Sequence, residues 1–364
     1  MGICNLLLFA QNHDMIDIAL NPEKKHWDQY AAENAMAKYS HLYDWGEGLA
    51  ATYSLPIFRL ATINSQTGRM TGSLSLILFA PPGKNKRLIS LPYTDAAGIL
   101  ADDGESGCRL ILAAMELADS LGTDHVELRQ GGALQSFFPQ HQAINIWCYT
   151  PNTFKTGLLR SLPTSVDDLW SSLSPKVRNQ IRKARRCGCD VKVGGAALLA
   201  DFFAVFSENM RDLGSPVHAP ELFRSVTCSE SLRAAIIVVY LKAQPIASAV
   251  VFLHNETAYN PWASSLRRYR PSCPNMLLYW SMLEYGVQNR CRWFDFGRSS
   301  PDAATCRFKV QWGAGMDALI WHVFSRKPHS WDPRSESLEY ENWKTTEIER
   351  SRRDGPAIRR WISL

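Results

Sequence analysis

Residues 294–314 contain five charged side chains, and the types and spacing of four of them could do chemistry on a charged substrate. Asp295 alternates with two phenylalanines, which predicts a buried strand with the carboxylate on its other face. Arg298, Arg307 and Lys309 follow around a loop of serine, proline and aspartate. Such a group suits either a site that handles charge or an ion pair that braces two strands. The residues alone favour the brace.

A second alternation, in residues 306–312, predicts another strand directly after the loop. Arg307 and Lys309 would share one face of this strand, with Phe308 on the opposite face and Trp312 at its end. Because α/β domains place their chemistry at strand ends, we expect the acid and the bases of these two strands to lie in one cleft.

Residues 174–192 carry seven basic side chains and one acid, Asp190. Arg178, Arg182 and Arg185 recur at helical spacing and would share one face of a helix. That face suits contact with phosphates or nucleic acid, or it is a solvated helix surface. The shortage of acids favours the contact surface, so these three arginines are candidates for binding an anionic donor.

Residues 260–275 predict a strand end, a turn with three arginines, and the start of a helix at Asn275. Backbone N–H groups at a helix start can hold an anion. The alternative is a long connection whose arginines only hydrate the surface. Trp262, Ser265 and Asn275 are the candidate substrate contacts of this stretch.

The composition describes a folded protein and excludes several classes of site. A chain of 364 residues suits two domains, and a net charge of +5 permits an anionic partner without requiring one. Nine cysteines without a C-x-x-C pair, and histidines without metal-ligand spacing, predict no metal site and a reducing compartment. No apolar run reaches membrane-spanning length, and nucleotide-binding loops and a G-x-S-x-G elbow are absent.

Helical and strand patterns recur in a similar order on both sides of a turn-rich stretch, residues 151–168. We therefore expect two α/β domains, each with a central mixed sheet flanked by helices. The expected bounds are 1–155 for the first domain, 165–325 for the second, which carries the cleft, and 326–364 for a charged C-terminal arm.

Five stretches together resemble the FemAB family, the aminoacyltransferases that build peptidoglycan cross-bridges, within the GNAT superfamily. The similarity covers most of the chain and is closest to the FemAB-related proteins that accompany exosortase/PEP-CTERM exopolysaccharide systems in Gram-negative bacteria. The stretches are residues 91–100, 126–130, 169–191, 260–286 and 294–314.

The resemblance implies two tandem GNAT-like domains and an acyltransferase with its catalytic cleft in the second. Phe308 and Lys309 match the Phe-Lys pair of the family, whose lysine is implicated in catalysis. It also implies a cytoplasmic enzyme, peripheral to the inner face of the membrane, with no tightly bound cofactor. Its donor would be aminoacyl-tRNA or acyl-CoA, and its acceptor an amine-bearing envelope precursor or an amino sugar. The coiled-coil arm of the cross-bridge enzymes has no counterpart here.

The chemistry required is attack by a neutral amine on an ester or thioester, followed by stabilisation of an oxyanion. Lys309 is the candidate cation, and Arg298 or Arg307 would orient an anionic group of the substrate. Asp295 would accept the proton of the amine or hold Lys309 in place. Two further residues, Phe308 and Trp312, are expected to contact the substrate.

Two alternatives remain from the sequence. One is a GNAT enzyme that uses acyl-CoA or an acyl carrier to acylate an amino sugar, and the other is a non-catalytic scaffold for polysaccharide assembly. The intact segments DFGRS and RFKVQWGA argue against a scaffold. The Q/R-x-x-G-x-G/A pyrophosphate loop begins at Arg185 but is broken by Asp190, which argues against acetyl-CoA. The small net charge argues against an extensive grip on tRNA.

Overall fold

The computed structural model describes residues 16–132, 134, 147–327 and 341–364. The chain divides into two compact units. Unit 1 consists of Met1–Thr153 and Ala318–Trp331, and unit 2 consists of Phe154–Asp317 and Asp332–Leu364. Each unit is built on a mixed sheet flanked by helices, as the sequence patterns predicted.

The sheet of unit 1 has the strand order β1-β2-β3-β4-β6-β15-β7, with β5 paired to β3. Its strands are β1 Ile16–Leu20, β2 Ile57–Asn64, β3 Met70–Phe79, β4 Arg87–Ile89, β5 Leu100–Ala101, β6 His125–Gln130, β7 Cys148–Asn152 and β15 Ile320–Ser325. Its helices are α1 Lys24–Glu33, α2 Tyr43–Tyr53 and α3 Gly104–Ser120, with a 3-10 turn at Tyr39–His41. Only β4 and β6 pair in parallel within the described part of this sheet.

A buried ion pair lies in the interior of unit 1. Glu127 and Arg129 lie two residues apart on β6 and are both fully buried, with Nε of Arg129 2.8 Å from Oε1 of Glu127. The guanidinium of Arg129 stacks on the ring of Trp321 and donates to the carbonyl of Thr94. Burial alone would raise the pKa of Glu127, but Arg129, His125 and Arg87 together outweigh it and lower that pKa to about 2.

The sheet of unit 2 has the strand order β14-β8-β13-β12-β11-β10-β9. Its strands are β8 Gly157–Ser161, β9 Cys189–Gly194, β10 Arg233–Leu241, β11 Gln244–His254, β12 Thr257–Ser265, β13 Trp293–Asp295 and β14 Gly315–Asp317. Its helices are α4 Val166–Ser172, α5 Pro175–Arg186, α6 Leu199–Leu213, α7 Pro220–Thr227, α8 Pro274–Gln288, α9 Ala304–Val310 and α10 Ile348–Arg359. Further 3-10 turns are Ala196–Leu198, Arg267–Ser272 and Glu341–Thr345.

Helices cover both faces of the second sheet, because successive residues of its buried strands point to opposite sides. Ala249 and Val251 of β11 belong to one core cluster with residues of α5 and α8. Ser248, which directly precedes Ala249, points to the opposite side and donates to the carbonyl of Phe202 on α6. The near-continuous apolar sequences of β10 and β11 are those of strands covered on both faces.

Local sequence explains where α5 begins. The side chain of Ser174 accepts a hydrogen bond from the N–H of Val177, and Pro175 occupies the first helical position. Val177, Ile181 and Ala184 form the buried stripe, and the arginines face outwards. The expected basic helix is therefore present.

Two expectations about the fold were wrong. Residues 306–312 do not form a strand, because Ala304–Val310 is helix α9, in which Cys306 and Lys309 are buried at a spacing of three. A stretch of seven residues is too short for alternation to exclude a helix, and packing decides between them. Ile320–Ser325 was expected in the second domain, but it pairs with β6 and β7 in the sheet of unit 1.

The C-terminal segment was expected as a charged arm. Within the described residues 341–364, helix α10 packs against α6. Arg352 of α10 donates to the hydroxyl of Ser207, and the buried Arg359 donates to His218. Basic side chains of the C-terminal segment therefore anchor a helix on unit 2.

No helix among the described residues combines the length and the apolar character needed to cross a bilayer.

Candidate active site

Two parallel strands separate in the middle of unit 2, at the candidate catalytic residue Asp295. Strands β12 and β13 pair from Thr257 opposite Trp293 to Tyr259 opposite Asp295. Strand β13 ends there, whereas β12 continues to Ser265 with no described strand beside it on that side. We call this opening, between residues 260–265 and the loop after Asp295, the strand fork. Clefts outside the carboxyl ends of parallel strands are where open α/β sheets bind ligands.

A β-bulge bends β12 at the start of the strand fork. Two residues, Asn260 and Pro261, stand opposite the single residue Val251 of β11. The amide of Asn260 is buried and donates to the carbonyls of Val250 and Trp262, both at 3.0 Å. A bulge increases local twist and redirects the strand, so Asn260 fixes the course of β12 away from β13.

Asp295 shapes the turn that leaves β13. The side chains of Phe294 and Phe296 are buried, and that of Asp295 is partly exposed, as the alternation predicted. Its Oδ1 accepts a hydrogen bond of 2.7 Å from the N–H of Gly297. Gly297 has φ of 70°, a conformation that favours glycine. One carboxylate oxygen of Asp295 therefore holds the first turn of the loop.

Lys309 reaches the same loop from helix α9. Its Nζ donates to the carbonyls of Gly297 and Arg298, at 3.2 and 2.8 Å, and the residue is 9% exposed. Asp295, Arg298 and Lys309 are thus gathered around one short loop at the strand fork. In this arrangement, Lys309 braces the loop with at least two of its three N–H bonds.

An aromatic layer lies behind the loop. The ring of Tyr279 on α8 stacks on Phe296 and Trp312, at centroid distances of 5.9 and 6.0 Å, and meets Phe308 edge-on at 4.8 Å. Burial raises the pKa of the Tyr279 hydroxyl. Trp312 is fully buried, and its indole N–H has no acceptor within the described part of the chain. Phe308 and Trp312 therefore occupy packing positions behind the loop.

Arg160 holds the turn that follows α9. Its guanidinium, on β8, donates to the carbonyl of Trp312 and to the hydroxyl of Ser172. Gly313 has φ of 84°, and its α-carbon faces this guanidinium. Burial lowers the pKa of Arg160. Arg160 fixes the glycine turn after Lys309 and so supports the position of α9.

The remaining predicted substrate contacts lie apart from the loop or within the core. Trp262 is buried on the α6 side of the sheet, 4.8 Å from the ring of Phe223. Arg307 is exposed and donates to the carbonyl of Asp302. Asn275 is the second residue of α8 rather than its cap, because Cys273, with φ of 56°, occupies the cap position.

Ser265 lies at the far end of β12. Its hydroxyl is buried and has no hydrogen-bond partner among the residues described. A buried hydroxyl without a partner is uncommon in proteins and is a position where a ligand atom could bind.

The three arginines of α5 lie together on its outer side, as their spacing predicted. The guanidinium of Arg182 lies 5.3 Å from the centre of the Trp170 ring, and that of Arg178 reaches the carbonyl of Ser171. None of the basic residues of α5 has an ion-pair partner within the described segments. Apart from Arg185, whose charge acts on the carboxylate of Glu284, the helix presents positive charge with no described acid close by.

Arg185 also borders a groove of about 460 Å³ between α8 and β9. Aliphatic side chains of Val191, Val193 and Leu277 line it, together with the carboxylate of Glu284. Partial burial raises the pKa of Glu284, and the nearby Arg185 opposes that shift. We call this feature the β9 groove.

Sequence reasoning missed Asn260, Arg160 and Tyr279. The Asn-Pro pair at residues 260–261 was read as the end of a strand, although proline inside a strand is also a signal for a bulge. Arg160 and Tyr279 carry no local signal, because their partners are distant in sequence.

Residues 171–310 match the family model described as Acetyltransferase (GNAT) domain. The matched range includes the strand fork, the basic helix α5 and Lys309. It confirms the resemblance at the level of the GNAT superfamily. No curated protein is significantly similar to the chain in sequence.

Solved structures share the tandem architecture at low sequence identity. FemX superposes with a TM-score of 0.67 and 13% identity, over 85% of this chain and 96% of its own. The tandem GNAT protein from the clavulanic acid biosynthesis pathway gives 0.54 and 14%, over 86% and 100%. L-PGS from Bacillus licheniformis gives 0.56 and 11%, over 90% and 98%. These likenesses establish the fold.

Proposed function

Because residues 171–310 are a GNAT domain and the chain is an acyltransferase of that superfamily, we propose that it transfers an aminoacyl or acyl group to an amine. The donor is an activated ester or thioester. The acceptor is an amine-bearing precursor of the cell envelope or of an exopolysaccharide. The observation that carries the proposal is the strand fork, where a bulged strand, an aspartate and a lysine-braced loop meet inside the matched domain.

The strand fork supplies an edge of backbone groups for a donor and a loop that is held in position by Lys309. Beyond Tyr259, β12 has no described strand on its β13 side, so its edge offers peptide groups to a bound donor. Backbone N–H groups of this kind can stabilise the oxyanion of a tetrahedral intermediate. Because Nζ of Lys309 donates to two carbonyls, its proposed contribution is to position the loop.

Asp295 is the proposed acceptor of the amine proton. Its Oδ1 is oriented by the N–H of Gly297, and the residue is partly exposed at the fork. An amine must be neutral to attack a carbonyl carbon, and a carboxylate at the fork would receive its proton as the new bond forms. Arg298, on the same loop, would orient an anionic group of the substrate.

Aminoacyl-tRNA is the proposed donor. The basic helix α5 has no ion pairs within the described residues, and it lies in the matched domain. Its positive charge would contact donor phosphates near the 3′ end, a limited contact that agrees with a net charge of +5.

Acyl-CoA is the second candidate, and a separate feature favours it. Arg267 and Arg270 are exposed directly before α8, whose amino-terminal N–H groups suit a pyrophosphate. Both donors are cytoplasmic, so we place the reaction in the cytoplasm, at the inner face of the membrane where envelope precursors are assembled.

A donor-exchange assay tests the proposal. The protein is incubated with an amine acceptor, either a muropeptide precursor or glucosamine, and with either charged tRNA or acyl-CoA, and products are identified by mass spectrometry. We expect transfer from charged tRNA, abolished by Asp295→Asn. Asp302→Asn, on the exposed side of the same loop, is the matched control and should retain activity. Transfer from acyl-CoA alone would refute the tRNA donor, and activity of Asp295→Asn would refute the proton acceptor.

A further inference from the structure

Strand β9 is an open edge of the sheet in unit 2. It pairs with β10 on one side, and no described strand lies on its other side. The side chain of Val193 on this strand is 48% exposed. An unpaired edge presents a row of backbone donors and acceptors, which is a template for pairing with another strand.

The two faces of β9 differ in character. Cys189, Val191 and Val193 alternate along the α8 side and line the β9 groove. Asp190 and Lys192 alternate on the other side, where Nζ of Lys192 lies 5.0 Å from the centre of the Tyr240 ring. A strand added to this edge would therefore meet apolar side chains on one face and two opposite charges on the other.

The sequence of β9 is complementary to itself in one antiparallel register. If two copies pair about Val191, Asp190 lies opposite Lys192 of the partner subunit, and Lys192 lies opposite the partner subunit's Asp190. On the other face Val191 meets its own copy, and Cys189 meets Val193 of the partner subunit. Opposite charges in directly facing positions stabilise a sheet, and like charges there destabilise it.

We propose that the partner of this edge is a second copy of the chain, joined by β9 to β9 about a two-fold axis at Val191. A two-fold interface uses the same surface on both copies, so it requires this kind of self-complementarity. The charged pair also selects against other strands, since a strand without mirrored charges leaves Asp190 and Lys192 unmatched. Pairing would cover the exposed Val193 and the mouth of the β9 groove.

The test is a charge swap measured by sedimentation equilibrium of the full chain. We expect wild-type protein to show a reversible dimer at about 50 µM, as short interfaces give modest affinity. Asp190→Lys and Lys192→Asp should each weaken dimerisation at least about tenfold, since each places two pairs of like charges opposite each other. The double variant should restore the dimer, because the swapped charges match again.

Both positions are exposed, so these variants should fold, and Lys183→Asp on the exposed side of α5 is the control for the change in net charge. A wild-type monomer at all concentrations would overturn the proposal. So would single variants that dimerise like the wild type, or a double variant that stays monomeric.

A cross-link provides a second readout. Val191→Cys places two introduced thiols at the two-fold axis, where oxidised glutathione would accept their electrons as one disulfide forms between the copies. The expected product is a covalent dimer, formed faster than with Lys183→Cys. Equal rates for the two variants would argue against the register.

Discussion

Replacing Lys309 with methionine distinguishes two possible roles of this residue. Its ammonium group either holds the loop in position or stabilises the oxyanion directly. Methionine keeps most of the aliphatic stem and removes the ammonium group. That group donates to the carbonyls of Gly297 and Arg298 and is nearly buried. A hydrogen bond from a charged group contributes about 1.5–3 kcal/mol, so the two together amount to about 3–6 kcal/mol. Methionine also avoids the cost of burying a charge, so we expect Lys309→Met to lose about 2–4 kcal/mol of stability.

The assay is urea unfolding of both proteins, combined with turnover measured under conditions where each is fully folded. If Lys309 braces the loop, the free energy of unfolding and kcat fall together. If it acts only on the oxyanion, the activation free energy rises by about 2–4 kcal/mol, so that kcat falls while the free energy of unfolding is unchanged. Arg307→Met, on the exposed side of the same helix, is the control and should change stability by less than about 0.5 kcal/mol. An unchanged unfolding free energy for Lys309→Met would refute the brace.

Three further predictions follow from the contacts. The folded-state pKa of Glu127, about 2, lies below its ordinary value of 4.5. The ionised Glu127 with its basic neighbours therefore stabilises the protein by about 3 kcal/mol above pH 4.5, and this is lost as the pH falls towards 2. Glu127→Gln should remove the pH dependence that Glu127 contributes to stability. It should also cost about 3–5 kcal/mol at pH 7, because Arg129 stays buried without its acid. Urea denaturation of both proteins at pH 7 and at about pH 2 measures the two effects. Asn260→Ala removes the donor to two carbonyls of the bulge. It should lower the free energy of unfolding by about 1–3 kcal/mol and also lower turnover. An unchanged melting temperature would contradict this prediction. Arg182→Gln with Arg185→Gln should reduce the log–log slope of donor affinity against salt concentration by about 1.4–1.8, measured by titration at several salt concentrations. An unchanged slope would mean that α5 is a solvated surface.

Local sequence patterns were sufficient to predict those elements whose structure depends mainly on their own residues. The alternation of Phe294 and Phe296 around Asp295 identified β13, and the spacing of the arginines identified the exposed face of α5. The turn-rich region after residue 150 lies where the chain passes from unit 1 to unit 2. The strand and the helix face could be predicted because periodic burial follows directly from the order of apolar and polar residues.

Positions that depend on distant partners could not be read in this way. Lys309 was correctly placed near Asp295 and Arg298, but its hydrogen bonds to loop carbonyls arise only because α9 is a helix that packs behind the loop. Trp262 looked like a substrate contact and is a core residue, since the side of β12 that faces α6 is covered by aromatic rings.

The sequence by itself determined that the chain is a two-unit α/β protein, that Asp295 lies on a strand between two buried phenylalanines, and that α5 is basic. These properties depend on composition and on periods of two and 3.6 residues, which each segment carries independently. Only the tertiary structure decided that β12 and β13 separate at Tyr259, that residues 320–325 return to the first sheet, and that β9 is left as an edge. Strand neighbours are selected by packing among segments far apart in the chain, and no single segment contains that information.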